Sequence, residues 1–495
     1  MGHLTSHRLG VVLLTVGLSA CAVGPNFRRP TPPTATGYGS APSQGETGSS
    51  TGLGGGRQHF DSAAQVPAEW WKLFESPKLN ALIAQALEAN PDLAAARAAL
   101  REAHELYEAQ LTSFFPTAQG GFSATRAKNA LGSIANPTSL PQSNPYYNLF
   151  TAQVSVSYLP DVFGATRRAV EAAKAQETNN RFQLEATYLT LTSNVVVTAL
   201  QEASLRGQIA SSERLVELQQ QVTRAVRGQR ALGTASELDL LAQIASEAQT
   251  AATLPPLRKQ LGQTRDELTA LLGRLPADEP DETFLLEEMT LPLELPVSLP
   301  SKIVLQRPDV RAAEANLHIA SAEAGIALAN LLPQFTITAE TGSSALAMSQ
   351  LFKGGTGFWD VGASLTQTLF DAGALLHKHR ATDAALDQAG AHYRAAVILA
   401  CQNVADTLRA LQADADALKA SAEADRAAES AFELARKQQA LGTISLVAML
   451  NAEQTYQQAE VAVVQARASR YADSAALFQA LGGGWWNRPG ESVNE

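Results

Sequence analysis

The chain has 495 residues and a formal net charge of −10 at neutral pH. This acidic balance argues against a nucleic-acid partner, because binding to phosphates requires clustered Lys and Arg. Two cysteines are too few for a disulfide framework. A membrane-spanning helix needs about 18 consecutive apolar residues, and no segment after the N-terminus has a run of that length. Any further contact with a membrane is therefore expected to come from β-strands.

The N-terminus has the pattern of a bacterial lipoprotein signal. Residues 1–20 contain a weakly basic start and an apolar stretch from Leu9 to Leu18, which is too short to span a bilayer. Small residues then precede Cys21, so we expect residues 1–20 to be removed and Cys21 to become an acylated N-terminus. The alternative is an ordinary secretory signal with a chance cysteine. Ala22, where an aspartate usually retains lipoproteins in the inner membrane, favours the outer membrane.

Residues 21–66 are rich in Pro, Gly, Ser and Thr and are predicted to form an extended, lipidated tether. The body that follows is a tandem repeat, because three motifs recur in the same order and with matching spacing between their prolines. One architecture is therefore used twice. The recurring motifs are Asn90–Leu93 with Arg307–Val310, Phe115-Pro116 with Leu332-Pro333, and Leu232–Ser236 with Leu441–Ser445. We assign residues 67–275 to the first repeat, 276–300 to an inter-repeat segment, 301–485 to the second repeat and 486–495 to a C-terminal tail.

Within each repeat the hydrophobic period changes in the same order. An alanine-rich helical pattern ends at Pro116 in the first repeat and at Pro333 in the second, since proline cannot continue a helix. Two stretches that alternate apolar and polar residues follow in each repeat, and each is close to the about 9–11 residues of a tilted bilayer-crossing strand. A very long helix with heptad spacing comes next, then a turn at Leu-Gly-Thr and a returning helix. The seams are predicted at Leu215, Leu218, Val222 and Ala225, and at Val404, Leu408, Leu411, Ala415, Leu418 and Ala422.

Two strand pairs give four predicted membrane strands per chain, and four strands cannot close into a barrel. An open sheet edge would expose unpaired N–H and C=O groups to hydrocarbon. Closure therefore requires several chains, and three chains would supply twelve strands. The alternative is a pair of soluble β-hairpins in a coiled-coil protein. The fold class predicted is an α+β membrane protein, with four strands per chain entering a shared barrel that continues into long helices.

These elements together resemble the outer membrane factors, the TolC- and OprM-like exit ducts of efflux systems, in their lipoprotein (NodT-type) branch. The resemblance implies a homotrimer with a twelve-stranded β-barrel in the outer membrane and an α-helical coiled-coil barrel in the periplasm, with residues 276–300 and the chain ends in an equatorial belt. It also implies a passive duct for small molecules, joined by a periplasmic adaptor to an inner-membrane pump, for which the RND type is expected. The motifs that carry it are Val23–Phe27, Trp70-Trp71, Asn90–Leu93, the two Leu-Gly-Thr turns and Ala480–Trp485.

The resemblance places the periplasmic gate at the helix tips after the two Leu-Gly-Thr turns. By position, Leu238 and Asp239 in the first repeat and Val447 and Asn451 in the second would line the constriction. Rings of apolar side chains close a pore by dewetting, whereas rings of carboxylates attract cations. This chain departs from relatives that have aspartates in the second repeat and a tyrosine before its turn, because it has Ala448, Asn451 and Gln439 there.

Two alternatives remain for the residues at these tips. Glu237 and Asp239 could simply belong to a solvated helix start, with Ser236 as its N-cap, and both roles can hold together. The turn residues Gly233, Thr234, Gly442 and Thr443 are candidate docking points for the adaptor, or they serve the turn alone.

The residues give little support for an enzyme. The motifs of metalloproteases, serine hydrolases and phosphate-binding loops are missing from the sequence, the histidines are scattered, and no metal site is predicted. No cofactor is expected apart from the covalent lipid on Cys21. The rival interpretations are a periplasmic adaptor lipoprotein, which would have one helical hairpin rather than a repeat, and a structural coiled-coil lipoprotein. The predicted location is the outer membrane, with a tunnel that extends into the periplasm.

Overall fold

The computed structural model describes residues 22–39, 45–128 and 146–488. The predicted signal peptide 1–20, the lipidation site Cys21 and residues 489–495 of the predicted tail lie outside these residues. The described chain divides into two compact units. The strand unit contains the described residues up to 29, residues 101–178 and residues 314–392, and the helical unit contains the remainder.

The same order of elements occurs twice along the chain. Each repeat has two helices, then two strands, then a helix of 67 residues. Prolines begin the two leading helices of each repeat, at the position where the missing N–H has no intrahelical partner to lose. In chain order the elements are β1 (His59–Asp61), α1 (Pro77–Ala89), α2 (Pro91–Leu111), β2 (Thr117–Lys128), β3 (Tyr146–Tyr158), α3 (Ala165–Ala231), α4 (Glu237–Ala251), α5 (Leu254–Leu271), β4 (Glu294–Pro296), α6 (Pro300–Gln306), α7 (Pro308–Ala329), β5 (Gln334–Ala345), β6 (Gly357–Thr366), α8 (Ala374–Ala440) and α9 (Leu446–Ala480).

The four long strands form one antiparallel sheet in the order β2-β3-β5-β6. They contain 12, 13, 12 and 10 residues, which is enough for tilted strands to cross a bilayer. Each hairpin is built within one repeat, whereas β3 pairs with β5 across the two repeats, from Phe150 opposite Ala345 to Tyr158 opposite Ile337. In the described chain β2 and β6 are the outer strands of this sheet.

The two faces of the sheet differ in chemistry, as the alternating sequence predicted. The register brings Phe122, Val154, Ile337 and Val361 to one face, where all four side chains are exposed. The opposite face carries hydroxyl and amide groups, for example Thr151, whose Oγ1 lies 3.2 Å from Oγ of Ser344. Each strand therefore presents apolar groups on one side and polar groups on the other.

The long helix of the second repeat buries five of the six predicted seam residues, and the sixth, Leu408, is half-buried. The buried five are Val404, Leu411, Ala415, Leu418 and Ala422 of α8. In α3 the prediction is wrong after its first residue, because the buried face continues from Leu215 through Gln219, Thr223 and Val226. The cause is the neighbouring helix: Gln243 of α4 donates to Oε1 of Gln219 at 2.6 Å, so polar side chains occupy a face that hydrophobicity alone does not identify.

The returning helices differ between the repeats. In the second repeat α9 runs for 35 residues without a break. In the first repeat the return is divided into α4 and α5, because Pro255 and Pro256 lie in the first turn of α5 and cannot continue a preceding helix. The sequence predicted one returning helix in each repeat, and the structure corrects this for the first. The returning helices pack against α3, where Arg214 pairs with Glu460 and Arg258 with Glu213.

Residues 45–66 of the predicted tether are held by contacts with distant parts of the chain rather than extended away from it. Strand β1 pairs in parallel with β4 of the inter-repeat segment 276–300. Arg470 of α9, itself fully buried, donates to the carbonyl oxygens of Gly54 (2.9 Å) and Gly56 (2.7 Å) and to Oγ1 of Thr47 (2.9 Å). The Pro/Gly-rich composition allows the chain to adopt this conformation, and the hydrogen bonds from Arg470, which is distant in sequence, stabilise it.

Candidate gate and docking tips

The turn between α3 and α4 is closed by its own backbone. Gly233 adopts a φ of 75°, the left-handed conformation that ends a helix with little strain in glycine. Thr234 donates from both its N–H and its hydroxyl to the carbonyl oxygen of Gln229, each at 2.9 Å. Ser236 then caps α4, because its Oγ accepts from the N–H of Asp239.

The turn between α8 and α9 repeats this geometry. Gly442 has a φ of 73°, and Thr443 donates from its N–H and its hydroxyl to the carbonyl oxygen of Gln438, each at 3.0 Å. Ser445 caps α9 by accepting from the N–H of Ala448 at 3.2 Å. The four predicted docking residues Gly233, Thr234, Gly442 and Thr443 therefore form two matching turns, and their turn chemistry is confirmed.

The predicted gate residues lie in the first turns of the returning helices. Leu238 is 77% exposed and Val447 is 54% exposed, although both are large apolar side chains. Asn451 is also exposed, and Asp239 is half-buried. Leu238 and Asp239 belong to α4, and Val447 and Asn451 to α9. A single chain thus leaves the side chains of Leu238, Val447 and Asn451 available for contacts outside it, and the role of all four residues as a gate stays a prediction.

The acidic residues at the first tip are engaged in local interactions. The carboxylate of Asp239 accepts from the hydroxyl of Ser236 (2.7 Å) and from its N–H (3.0 Å), which completes a capping box. These two hydrogen bonds hold the pKa of Asp239 below its usual value. Glu237 pairs with Arg230 at the end of α3. The interpretation of these acids as part of a capped helix start is therefore confirmed.

Sequence reasoning missed two exposed leucines at the tips. Leu232 is 82% exposed and Leu441 is 80% exposed, each directly before the glycine of its turn. The repeated Leu-Gly-Thr motif identified both leucines. It did not indicate that they are exposed, because an apolar residue at a helix end usually packs inward.

Sequence reasoning also missed a buried polar group behind the second tip. Glu453 of α9 is fully buried, and among the described residues no hydrogen bond reaches either of its carboxylate oxygens. Burial raises the pKa of Glu453 to about 7, and the nearby amide of Gln457 offsets this rise only in part. A lone glutamate in a helical pattern is normally assigned to a solvated face, so its position gave no signal.

The described residues contain no cluster of His, Cys, Asp or Glu that could hold a metal ion. None of the helices in the described part of the chain has an apolar stretch long enough to cross a membrane. The features that remain are a sheet of bilayer-length strands with one apolar face, two helices of 67 residues and two capped tips.

This combination defines the class of outer-membrane ducts that continue into a helical periplasmic part. A family model described as outer membrane efflux protein matches residues 82–274 and 299–483. The chain therefore belongs to the outer membrane efflux protein family and is an outer-membrane channel of an efflux system. This membership supports the channel interpretation over the periplasmic adaptor and the structural coiled-coil lipoprotein.

Individual relatives cover nearly the whole chain. The pyoverdine export outer membrane protein OpmQ of Pseudomonas putida is 29% identical over 95% of this chain and 96% of its own length. The probable outer membrane lipoprotein SilC of Salmonella typhimurium is 26% identical over 84% of this chain and 88% of its own length. Among solved structures, the outer-membrane channel OprN superposes with a TM-score of 0.84 at 27% identity, over 94% of this chain and 100% of that chain.

Proposed function

We propose that three copies of this chain form a passive exit duct for small molecules, in which twelve strands close a barrel and the long helices continue it as a coiled-coil tunnel. The observation that carries this proposal is the four-stranded sheet, which has an exposed apolar face and two outer strands, β2 and β6. In hydrocarbon each unpaired backbone group would cost several kcal/mol. Pairing β2 of one chain with β6 of the next removes those edges.

The proposed partners are a periplasmic adaptor and an RND-type inner-membrane pump, which supplies the energy. Relatives named for export and efflux support this assignment, because a passive channel needs a pump to drive its cargo. The proposed docking surface for the adaptor consists of the two turns with Gly233, Thr234, Gly442 and Thr443. Leu232 and Leu441, which are exposed beside these turns, add an apolar contact area, and removing this area from water would favour docking.

The proposed gate consists of rings formed by three copies of Leu238, Asp239, Val447 and Asn451. The exposure of Leu238 and Val447 supports it, since a ring of apolar side chains excludes water from a narrow pore. Asp239 adds a ring of carboxylates, because its lowered pKa keeps it charged while it caps α4. In the second repeat the position that corresponds to Asp239 is Ala448, so it is uncharged, and Asn451 one turn further on is uncharged as well.

The proposed anchor is a covalent lipid on Cys21, with no other cofactor. The signal sequence and the relative SilC, which is named as a lipoprotein, support it. Labelling cells with radioactive palmitate would test this point, since Cys21→Ala behind a cleavable secretory signal should lose the label.

The duct itself is tested with purified protein from outer membranes. We expect trimeric bands that dissociate on heating and discrete conductance steps in planar bilayers. A protein that is monomeric in detergent and forms no pore would contradict the proposal. Conductance without a trimer would contradict the shared barrel alone.

A further inference from the structure

The residues that follow Cys21 are docked onto the strand unit rather than extended away from it. The N–H of Val23 donates to the carbonyl oxygen of Phe163 at 3.1 Å, directly before α3 begins. The ring of Phe27 stacks on the imidazole of His318 in α7, with ring centroids 4.1 Å apart. Arg29 forms an ion pair of 2.6 Å with Glu314, also in α7. The segment 22–29 therefore contacts both repeats within one compact unit.

Arg168 of α3 is the centre of this contact. Its side chain is 6% exposed and donates to Oδ1 of Asn26 at 2.6 Å, with longer bonds of 3.4 Å to the carbonyl oxygens of Val23 and Gly24. It also pairs with Glu171 at 2.7 Å. Arg168 is the buried member of this network, whereas Asn26 is exposed and Val23 and Gly24 are half-buried. Hydrogen bonds from a charged donor are stronger than neutral ones, so removing Arg168 takes the strongest bonds from the segment.

Glu171 extends the network to the second repeat, since its Oε1 lies 2.8 Å from Nε2 of His318. Burial alone would raise the pKa of Glu171, but the hydrogen bonds from Arg168 and His318 hold it below its usual value. The carboxylate is therefore charged at neutral pH. It links α3 of the first repeat to α7 of the second, beneath the ring of Phe27.

Residues 22–29 pack so closely against α7 and the start of α3 that glycine is required at two positions. Gly24 has a φ of 94°, and a Cβ at this position would lie 2.5 Å from Cα of Gly325 in α7. Gly164, with a φ of 86°, directly precedes α3, and a Cβ there would lie 2.7 Å from Cα of Ala22. Backbone-to-backbone contacts of this kind cannot be relieved by rotating a side chain, so this surface is shaped for this segment.

The segment packs against two helices, α3 and α7, which adjoin the two strands that join the repeats. Helix α3 follows β3, and α7 leads into β5. These two strands form the ladder that joins the hairpins of the two repeats. The rings of Phe163 and Phe335, which lie beside this end of the ladder, are 6.4 Å apart. The docked segment thus contacts the two helices that adjoin β3 and β5, the strand pairing by which the two repeats are joined in this sheet.

We propose that residues 22–29 act as an N-terminal staple, which binds α3 of the first repeat to α7 of the second and holds β3 and β5 in register while the sheet assembles. The register matters here, because a slip by one residue would turn the apolar face of the slipped strands inward. Each hairpin is local in sequence, whereas the β3–β5 pairing must form between strands from different repeats. The staple gives the residues behind the lipidation site a task that is separate from the lipid.

The test is disulfide cross-linking of the strand pairing in a Cys401→Ala background. Thr151→Cys with Ser344→Cys reports the β3–β5 register, because these residues are direct partners with hydroxyl oxygens 3.2 Å apart. Thr117→Cys with Ser157→Cys reports the register within the first hairpin. In newly assembled protein, Arg168→Ala should lower the β3–β5 yield by about tenfold, as expected when charged hydrogen bonds are lost. The β2–β3 yield should not change.

A second variant and two controls complete the test. Asn26→Ala with Phe27→Ala changes only the segment and should give the same selective loss. Lys174→Ala, which removes an exposed ion pair with Glu177, should leave both yields unchanged.

Cys21→Ala behind a cleavable signal should also keep the β3–β5 cross-link, since the staple begins at residue 22. Three results would each overturn the staple. These are an unchanged β3–β5 yield in both staple variants, an equal loss of both cross-links in the Asn26/Phe27 variant, and a loss of the β3–β5 cross-link in Cys21→Ala alone.

Discussion

Replacing Glu453 by glutamine tests how the second tip is held. The Glu453 side chain is fully buried in α9, and within the described chain neither of its carboxylate oxygens has a hydrogen-bond partner. Burial raises its pKa from an ordinary value of 4.5 to about 7. Glutamine has nearly the same shape but no charge, so Glu453→Gln removes the titration while the packing is kept.

The size of the effect follows from the raised pKa. Each tenfold change in an ionisation constant corresponds to about 1.36 kcal/mol, so a rise from 4.5 to about 7 corresponds to about 3 kcal/mol. The folded state favours the protonated acid, so this stabilisation is fully present below pH 4.5. It is lost as the pH rises through 7, because the unfolded chain then ionises more readily. Glu453→Gln should therefore match the wild type near pH 4.5 and exceed it in stability by up to about 3 kcal/mol near pH 8.

The assay is the temperature at which purified protein loses its heat-modifiable band, measured from about pH 5 to about pH 8. The advantage of Glu453→Gln should grow over this range. Glu217→Gln, on the exposed surface of α3, is the matched control and should show no such trend. A difference between Glu453→Gln and the wild type that does not vary with pH would refute the reasoning, because the carboxylate would then be charged or neutral throughout.

Three further predictions concern the tips and the segment held by Arg470. Val447→Ala should make the closed duct leakier, with higher single-channel conductance and greater antibiotic uptake in a strain without the pump, because a smaller apolar ring excludes water less well. Ala448→Asp should complete a capping box on Ser445 and stabilise the start of α9 by about 0.5–1 kcal/mol, seen as slower amide hydrogen exchange. Arg470→Ala should destabilise the helical unit by about 1–3 kcal/mol, since Oγ1 of the buried Thr47 and the carbonyl oxygens of Gly54 and Gly56 lose their charged donor, and residues 47–58 should become sensitive to protease.

Each of these predictions has a result that contradicts it. Unchanged conductance and uptake in Val447→Ala would remove Val447 from the gate. Ser236→Ala is the opposite change at the first tip and should speed amide exchange at the start of α4. If neither variant changed the exchange rate at its own helix start relative to the wild type, the capping argument would be contradicted. Arg470→Lys keeps the positive charge but lacks the several N–H donors of the guanidinium group. It should therefore be nearly as sensitive to protease as Arg470→Ala. Full protection in Arg470→Lys would show that charge alone suffices.

The sequence predicted the parts of the fold that depend on local pattern. The alternation in β2, β3, β5 and β6 identified four strands, because a period of two is imposed by one apolar face. The repeated Leu-Gly-Thr motifs predicted two turns, in which Gly233 and Gly442 adopt positive φ, and Ser236 was predicted to cap the helix after the first turn. The structure shows that Ser445 caps the helix after the second turn in the same way. These features are each decided within a few residues, so one sequence suffices to find them.

Features that depend on distant partners could not be predicted in this way. Arg470 holds residues 47–58, and Arg168 holds Asn26, across long sequence separations with no pattern that links the partners. The buried face of α3 fails the heptad prediction at Gln219 because its partner Gln243 comes from another helix. Glu453 is hidden for the same reason, since only the packing of neighbouring helices decides whether a glutamate is solvated.

The two tips share one geometry but are held with different strength. At the first tip, Asp239 completes a capping box on Ser236, and Glu237 pairs with Arg230. At the second tip, the methyl side chain of Ala448 cannot return a hydrogen bond to Ser445, and the buried carboxyl group of Glu453 lies two turns further on. Local opening requires least free energy where caps are incomplete and buried polar groups lack partners. We therefore expect the start of α9, which carries Val447 and Asn451, to open at a smaller cost in free energy than the start of α4.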